Sequence, residues 1–254
     1  MKNQPVSQAD RPLAPRAGKE ILSIQLRPDG LSFAYAEENE VKSGTIRLPA
    51  ENPEAGFDSI FSSGQWPGKS FSEVSVCVPS DCAVLIPEEL NLPEKYSSIV
   101  AALGYAEDPG ARLLPLSCPG GLVLLHAVCN RVITPLSDKY GDNISFLHPL
   151  YISLCQPEDK NTTLYIDCAG GYGNFTLKAG GDLLFADVFP LKNEASLLLA
   201  VNRIIVANKV GALQIICSGD GCESNHTVFS RHFRNVSVHP QGESRNLLFR
   251  WACG

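Results

Sequence analysis

The chain has 254 residues, enough to bury a substantial core, and it lies at the border between one large domain and two small ones. Hydrophobic residues make up 44% and charged residues 19%, as in an ordinary globular protein. The net charge of −6 argues against a nucleic-acid partner, and no apolar run approaches the roughly 18 residues that a membrane-spanning helix needs. We therefore expect a globular protein without nucleic acid and without direct membrane insertion.

Residues 1–19 contain no hydrophobic segment of the kind that forms the centre of a signal peptide. We predict a flexible N-terminal tail and a cytoplasmic location. The nine cysteines are consistent with that location, because most of them lie inside apolar, strand-like runs. Reduced cysteine behaves there as a small buried hydrophobe.

The segment after the tail predicts three short strands, ILSIQL, LSFAYAE and VKSGTIRL. A Pro28-Asp29-Gly30 turn separates the first two, and a turn centred on Asn39 separates the next two. A short helical piece near Phe57–Phe61 and the buried strand EVSVCV follow. The order of elements is strand-strand-strand-helix-strand.

The middle of the chain has no counterpart elsewhere in the sequence. Pro135 predicts a kink or a later start in the last helix of this region. Glu88 and Glu89 follow a proline, and we interpret them as a solvated helix start. The predicted elements are a strand in VLIPEELN, a helix in Pro93–Tyr105, strands at Ala111–Leu116 and Gly121–Val128, a helix at Asn130–Tyr140, and a linker at Gln156–Asn161.

The segment Thr163–Pro190 again predicts three strands, LYID, NFTLK and LLFADVF, joined by glycine-rich turns. Asn193 can cap a helix that extends to Asn208 and carries one apolar face. The apolar run Ala212–Cys217 then predicts a buried strand. RNVSVHP and RNLLFRWACG are predicted closing strands.

The two halves show the same spacing. Ile24 and Phe33 are nine residues apart, as are Ile166 and Phe175. Such agreement at low identity indicates an old internal duplication. We predict an α/β protein with two βββ-α-β subdomains, at residues 20–155 and 160–254, with a cleft between them.

Two βββ-α-β units joined by helical material resemble the actin-like ATPase superfamily, which includes sugar kinases. The resemblance implies that both subdomains have the RNase H-like fold. Asp167–Gly173 (DCAGGYG) is similar to the turn that wraps the nucleotide phosphates in that superfamily. Ile215–Gly221 (IICSGDG) is similar to the loop that approaches the adenosine. The whole chain most resembles a family of uncharacterised bacterial proteins with this fold, and it is also similar to the actin-like proteins of pilus assembly and type II secretion.

The resemblance implies a nucleotide site and, with it, ATP and magnesium as cofactors; the residues alone assign no cofactor. The residues that the resemblance places in this site are Asp167, Gly170, Gly171, Gly173, Gly219 and Gly221. The alternative interpretation is structural, because glycines in such a loop also serve tight hairpin turns with positive φ.

The first half departs from the superfamily pattern. Gln25 stands where the ATPases carry an aspartate, and an amide cannot supply the anionic oxygen that magnesium prefers. Pro28 removes a backbone N–H that could hold phosphate. We assign no catalytic residue. The hypothesis is a non-catalytic cytoplasmic scaffold or interaction protein with a protein partner; the alternative is a working ATPase or small-molecule kinase with an atypical first loop.

Two other groups of residues invite a chemical interpretation. Cys217, Cys222, His226 and His232 form a C-x4-C-x3-H-x5-H pattern, but it lacks the C-x2-C knuckle of zinc sites, and we expect a solvated loop instead.

A cysteine nucleophile would need a histidine nearby in space. Cys129 follows His126 in the same apolar run, for which we expect core packing. His148, which precedes a proline, is interpreted as a turn residue.

Overall fold

The computed structural model describes residues 20–37, 40–47, 56–62, 64, 66–105, 108–156, 161–239 and 242. Three predicted features lie outside these residues: the N-terminal tail, the turn at Asn39 and the closing strand RNLLFRWACG. Most of the predicted linker, residues 157–160, lies outside them too. No helix in the described ranges is long and apolar enough to cross a bilayer.

The first half contains eight strands and four α-helices within the described ranges. Short 3-10 helices occur at Glu88–Leu90, where both glutamates are exposed, at Pro93–Lys95 and at Gly141–Asn143. The elements are β1 (Ile21–Arg27), β2 (Gly30–Glu37), β3 (Glu40–Arg47), α1 (Gly56–Ser62), β4 (Glu73–Cys77), β5 (Ala83–Pro87), α2 (Tyr96–Ala102), β6 (Ala111–Cys118), β7 (Leu122–Cys129), α3 (Asn130–Tyr140), β8 (Ile144–Leu147) and α4 (Pro149–Leu154).

The second half follows the same scheme without an insertion. Asn193 caps its long helix, as predicted: the side chain accepts a hydrogen bond from the Ser196 N–H at 2.9 Å. The elements are β9 (Thr162–Ala169), β10 (Tyr172–Ala179), β11 (Asp182–Pro190), α5 (Glu194–Ala207), β12 (Gln214–Gly219), α6 (Cys222–Ser230) and β13 (Val236–Val238).

Two five-stranded sheets have identical topology. The first has the order β3-β2-β1-β4-β8 and the second β11-β10-β9-β12-β13. In each sheet, neighbours among the first three strands of this order are antiparallel. The last two strands run parallel to the third, which is β1 in the first sheet and β9 in the second. Ile24 faces Phe33 across the first sheet, and Ile166 faces Phe175 across the second. The predicted duplicated α/β fold is therefore confirmed.

The repeat is longer than the sequence predicted. The helix and strand α3–β8 occupy the place in the first sheet that α6–β13 occupy in the second, so each unit is βββ-α-β-α-β. The prediction that α3 has no counterpart was wrong. A small sheet of order β5-β7-β6, together with α2, separates β4 from α3 and hides the match. The helix α3 begins at Asn130 and continues through Pro135.

Each large sheet has its own core. Trp66 belongs to the first core, and its indole N–H donates to the Tyr140 hydroxyl at 3.0 Å. The first core includes Leu22, Ile24, Phe33, Ile60, Val74, Val76 and Leu136. The second, which joins its sheet to α5 and α6, includes Leu164, Ile166, Phe175, Leu177, Leu197, Val201, Ile204 and Phe229.

The opposite face of the second sheet is covered by α4 and the small sheet. Leu150 and Leu154 of α4 share a buried cluster with Val188 of β11 and with Leu124 of β7. Lys178, on β10, is almost fully buried, and its ammonium group donates to the carbonyls of Leu154 and Gln156 at 2.8 and 3.0 Å. This lysine satisfies carbonyls that the end of α4 leaves without helical partners.

A buried histidine pair lies between the loop after β4 and the start of α4. His148 caps α4: its Nδ1 accepts from the Leu150 N–H at 3.1 Å, and its Nε2 lies 3.1 Å from the Ser80 carbonyl oxygen. The Ser80 N–H also points to Nε2, at 3.2 Å, so the ring contacts both backbone groups of Ser80. The ring of His126 lies 5.7 Å from that of His148, edge to face. His148 is thus a fully buried helix cap, and His126 packs in the core as expected.

Burial makes both histidines hard to protonate. It lowers the pKa of His148 to about 4, although the Ser80 backbone and the Asp167 charge oppose that change. Burial, together with repulsion from His148, lowers the pKa of His126 to about 3, against a weaker opposing effect of the Phe146 backbone. Both rings are therefore neutral in the folded protein at neutral pH.

We predict that the protein loses stability as the pH falls from 7 to 5.5. The unfolded chain binds protons at both histidines below about pH 6.5, whereas the folded chain does not until about pH 4. The two groups together should lower the free energy of unfolding by about 2.5 kcal/mol over this range. Urea denaturation at pH 7 and pH 5.5 measures the change. His126→Phe should remove about half of it, and His232→Gln, at an exposed histidine, should leave it unchanged. If His126→Phe loses as much stability between pH 7 and pH 5.5 as the wild type does, the assignment of this loss to the two histidines is contradicted.

Candidate functional site

Gly170 and Gly171 form the turn between β9 and β10. Their φ angles are +60° and +85°, and Ala169 pairs with Tyr172 on either side, as in a two-residue hairpin turn of type I′. The pair Gly180–Gly181, between β10 and β11, has the same signs of φ. The backbone of the Gly170 turn is thus what a tight hairpin requires, whether or not a ligand binds there.

Gly173 serves packing in the second core. A Cβ atom on this residue would lie 2.6 Å from the ring of Phe175 and 3.1 Å from the side chain of Leu191. Both of these side chains pack in the core between the second sheet and α5. The structure therefore places Gly173 against the core rather than at the cleft.

Gly219 and Gly221 flank Asp220 at the end of β12. Gly219 has φ +78°, and a Cβ atom there would lie 2.2 Å from the Cys168 carbonyl oxygen. Only glycine allows β12 to approach β9 this closely. Gly221 directly precedes α6. The two glycines thus bring Asp220 beside the hairpin turn of Gly170.

Asp167 lies within β9 and is fully buried. The Ser218 hydroxyl donates to its carboxylate at 2.7 Å, and the Asn174 side chain donates to its backbone carbonyl at 3.0 Å. Gln25 is its counterpart in the first sheet: Gln25 pairs with Ser32, as Asp167 pairs with Asn174. Gln25 is also buried. Neither side chain is exposed to a ligand in this conformation.

Asp220 connects the two halves across the cleft. Its carboxylate accepts a hydrogen bond from the Gly170 N–H at 3.1 Å and lies 3.4 Å from the guanidinium of Arg27, at the end of β1. We call this arrangement the Asp220 bridge. Arg27 also lies 3.9 Å from Asp29 in the turn that follows. The sequence analysis missed Arg27 and Asp220; their positions beside the turns of the two halves were the available signal.

A second contact across the cleft involves Pro79, which follows β4. A Cβ atom on Gly170 would lie 3.0 Å from the Cβ atom of Pro79 and 3.2 Å from its Cγ atom. The hairpin turn of the second half is therefore in close contact with the first half. Together with the Asp220 bridge, this contact closes the cleft at Gly170.

A cavity of about 1330 Å³ opens beside this contact. It lies mostly in the first half, between the β1–β2 turn and the small sheet with α2. Arg27, Ser80, Tyr96 and Arg112 line it, and of the six candidate residues the described structure brings Gly170 to its wall. In the described part of the chain, no three His, Cys, Asp or Glu side chains are grouped so that they could hold a metal ion.

The cysteines of the C-x4-C-x3-H-x5-H pattern belong to the second core. Cys217 lies in β12 and Cys222 begins α6, and both are buried. Burial and the proximity of Cys222 raise the pKa of Cys217 to about 12, so its thiol stays protonated. The prediction of a solvated loop was wrong, because residues 222–230 form the helix α6.

Solved structures with the same architecture define the class. A Bacteroides thetaiotaomicron protein "with actin-like ATPase fold and unknown function" has a TM-score of 0.79 at 14% identity, covering 93% of this chain and 96% of that one. The "PilM-PilN type IV pilus biogenesis complex" has a TM-score of 0.62 at 13% identity, covering 92% and 98%. The cytoplasmic domain of EpsL, an inner membrane component of the type II secretion system of Vibrio cholerae, has a TM-score of 0.51 at 16% identity, covering 92% and 94%. The chain has the actin-like ATPase fold.

The family is shown by the match of residues 14–199 to the model described as "Protein of unknown function (DUF3822)". The chain belongs to this family. No curated protein sequence matches it.

We predict that Gly170→Ala destabilises the protein more than Gly180→Ala does. Both glycines have φ +60°, so alanine should cost about 1–2 kcal/mol at either position through backbone strain. At Gly180 no described atom lies within 4 Å of the added Cβ atom, whereas at Gly170 it meets Pro79. We expect about 1 kcal/mol of additional loss at Gly170. Urea denaturation of the two variants measures the difference. Equal losses in the free energy of unfolding would show that Pro79 moves aside at no cost.

Proposed function

We propose that this protein is a non-catalytic cytoplasmic scaffold or interaction protein that keeps the actin-like frame without its nucleotide cycle. The observation that supports this most is the Asp220 bridge. The Gly170 N–H and the Arg27 guanidinium are groups that could hold a phosphate, and both already bind a carboxylate of the same chain. A second anion in this place would be repelled by Asp220.

The residues around the cleft support the same proposal. Gln25 offers magnesium no carboxylate, and Pro28 offers phosphate no N–H. Asp167, which the resemblance implied as a nucleotide-site residue, is buried and bonded to Ser218. Nucleotide hydrolysis would require several of these groups to move together.

A protein partner is part of the proposal. Two structures of similar fold belong to larger assemblies, one to a PilM–PilN complex and the other to a type II secretion system. An actin-like frame can thus serve assembly, although fold likeness alone does not assign a partner. We further propose the division into a tail at 1–19 and subdomains at 20–155 and 160–254, which the two separate cores support.

The competing function is a working ATPase or small-molecule kinase with ATP and magnesium as cofactors. The observation that favours it is the cavity of about 1330 Å³, which is large enough for a nucleotide and has Arg27 and Gly170 in its wall. In this case the site would comprise Gly170 and Gly171, with Asp167 and Gly219 behind them. Asp220 would have to turn away before a phosphate could enter.

Thermal melting with Mg-ATP and Mg-ADP at millimolar concentration separates the two functions. We predict no change in melting temperature beyond that with magnesium chloride alone. A ligand at about 100 times its dissociation constant would add about 2.7 kcal/mol, which corresponds to about 5 °C or more for a chain of this size. Such a shift, accompanied by release of phosphate from ATP, would overturn the non-catalytic proposal. A shift with magnesium tripolyphosphate as well would indicate recognition of the phosphates rather than of the nucleoside.

A further inference from the structure

The Asp220 bridge brings together hydrogen-bond donors from both halves of the chain. Arg27 ends β1 in the first half, and Gly170 turns between β9 and β10 in the second. A guanidinium and a backbone N–H in a turn are donors that proteins use to hold oxyanions. The carboxylate that occupies them belongs to the protein itself.

We propose that Asp220 is a tethered anion that keeps this cleft shut, and that a free oxyanion of the phosphate class competes with it for Arg27 and the Gly170 N–H. This inference rests on the proposed function, because it treats the closed cleft as the resting state. The ligand class follows from the donors: tetrahedral phosphate oxygens can replace the two carboxylate oxygens one for one.

The geometry allows Asp220 to leave by a side-chain rotation. Its backbone is anchored, because its N–H donates to the Cys168 carbonyl. Its side chain is 29% exposed, so an outward rotamer can reach solvent. One carboxylate oxygen, Oδ1, accepts no hydrogen bond from the described residues and is held by the 3.4 Å ion pair with Arg27. The carboxylate is therefore incompletely coordinated, and the cost of displacing it is reduced.

The helix α6 adds to the attraction for an anion. It begins at Cys222, two residues after Asp220, and Gly221 has no side chain with which to cap it. The partial positive charge of the helix N-terminus therefore acts on whatever anion occupies this end of the cleft. The bound oxyanion would link Arg27 to Gly170 and so hold the two halves together in place of Asp220.

A tethered competitor lowers the apparent affinity of a free ligand by the fraction of molecules in which the site is open. Removing the carboxylate should raise the affinity for inorganic pyrophosphate about tenfold or more. Isothermal titration calorimetry with pyrophosphate, in chloride buffer without magnesium, measures this change for the wild-type protein and for Asp220→Ala. Inorganic phosphate in a second titration shows whether one phosphate group is sufficient.

The matched control is Asp29→Ala. This substitution changes the net charge by the same amount, and Asp29 lies 3.9 Å from the same guanidinium, but on the turn that follows β1. We expect Asp29→Ala to bind pyrophosphate as the wild type does. The double variant Arg27→Ala with Asp220→Ala should not show the increase in affinity for pyrophosphate. If circular dichroism shows that Asp220→Ala does not fold, Asp220→Asn takes its place, because asparagine has the same shape without the charge. Asp220→Asn should show a smaller increase in affinity for pyrophosphate.

The inference is overturned if folded Asp220→Ala or Asp220→Asn binds pyrophosphate no better than the wild type. It is also overturned if Asp29→Ala gains equally, since the effect would then be one of net charge, or if the double variant keeps the gain. The proposed function would fail in a different way: the wild-type protein would have a higher melting temperature with Mg-ATP and would hydrolyse the ATP. A wild type that ignores ATP, with no gain in Asp220→Ala, contradicts the tethered anion and leaves the scaffold proposal intact.

Discussion

The burial of the second sheet on both faces is the constraint on which the rest of the structure depends. Helices α5 and α6 cover one face, and α4 with the small sheet covers the other. The central strands are accordingly buried almost along their whole length. Two of their polar residues on the α4 side have partners within the protein, whereas the Thr176 hydroxyl has none among the described residues. Lys178 holds the end of α4, and Asp167 binds Ser218. The first half is thereby held against the second, with the cleft at the remaining edge.

That cleft is closed at Gly170 by groups of the chain itself. The Asp220 carboxylate lies between the end of β1 in the first half and the Gly170 turn in the second. Asp220 supplies the negative charge, Arg27 and Gly170 supply the donors, and Pro79 fills the space above the turn.

The histidine pair gives the same junction a second anchor. His148 links the loop after β4 to the start of α4, so it fixes the first half relative to the helix that packs on the second sheet. Its hydrogen bond from Leu150 exists only while the ring is neutral, and burial keeps the ring neutral. The histidine cap therefore depends on a neutral ring, whereas the Asp220 bridge depends on opposite charges.

The sequence by itself determined the three antiparallel strands of each half, the glycine turns of the second half, the capped helix at Asn193 and the duplication, because each depends on local periodicity or on turn residues a few positions apart. It also indicated that Gln25 breaks the phosphate pattern. It did not indicate β8, α4 or α6. Only the tertiary structure decided which groups meet: Arg27 and Asp220 are far apart in the chain and belong to different halves. The same holds for α3–β8, whose match to α6–β13 is interrupted by the small sheet. Contacts between distant segments depend on how the sheets pack, and no local pattern records them.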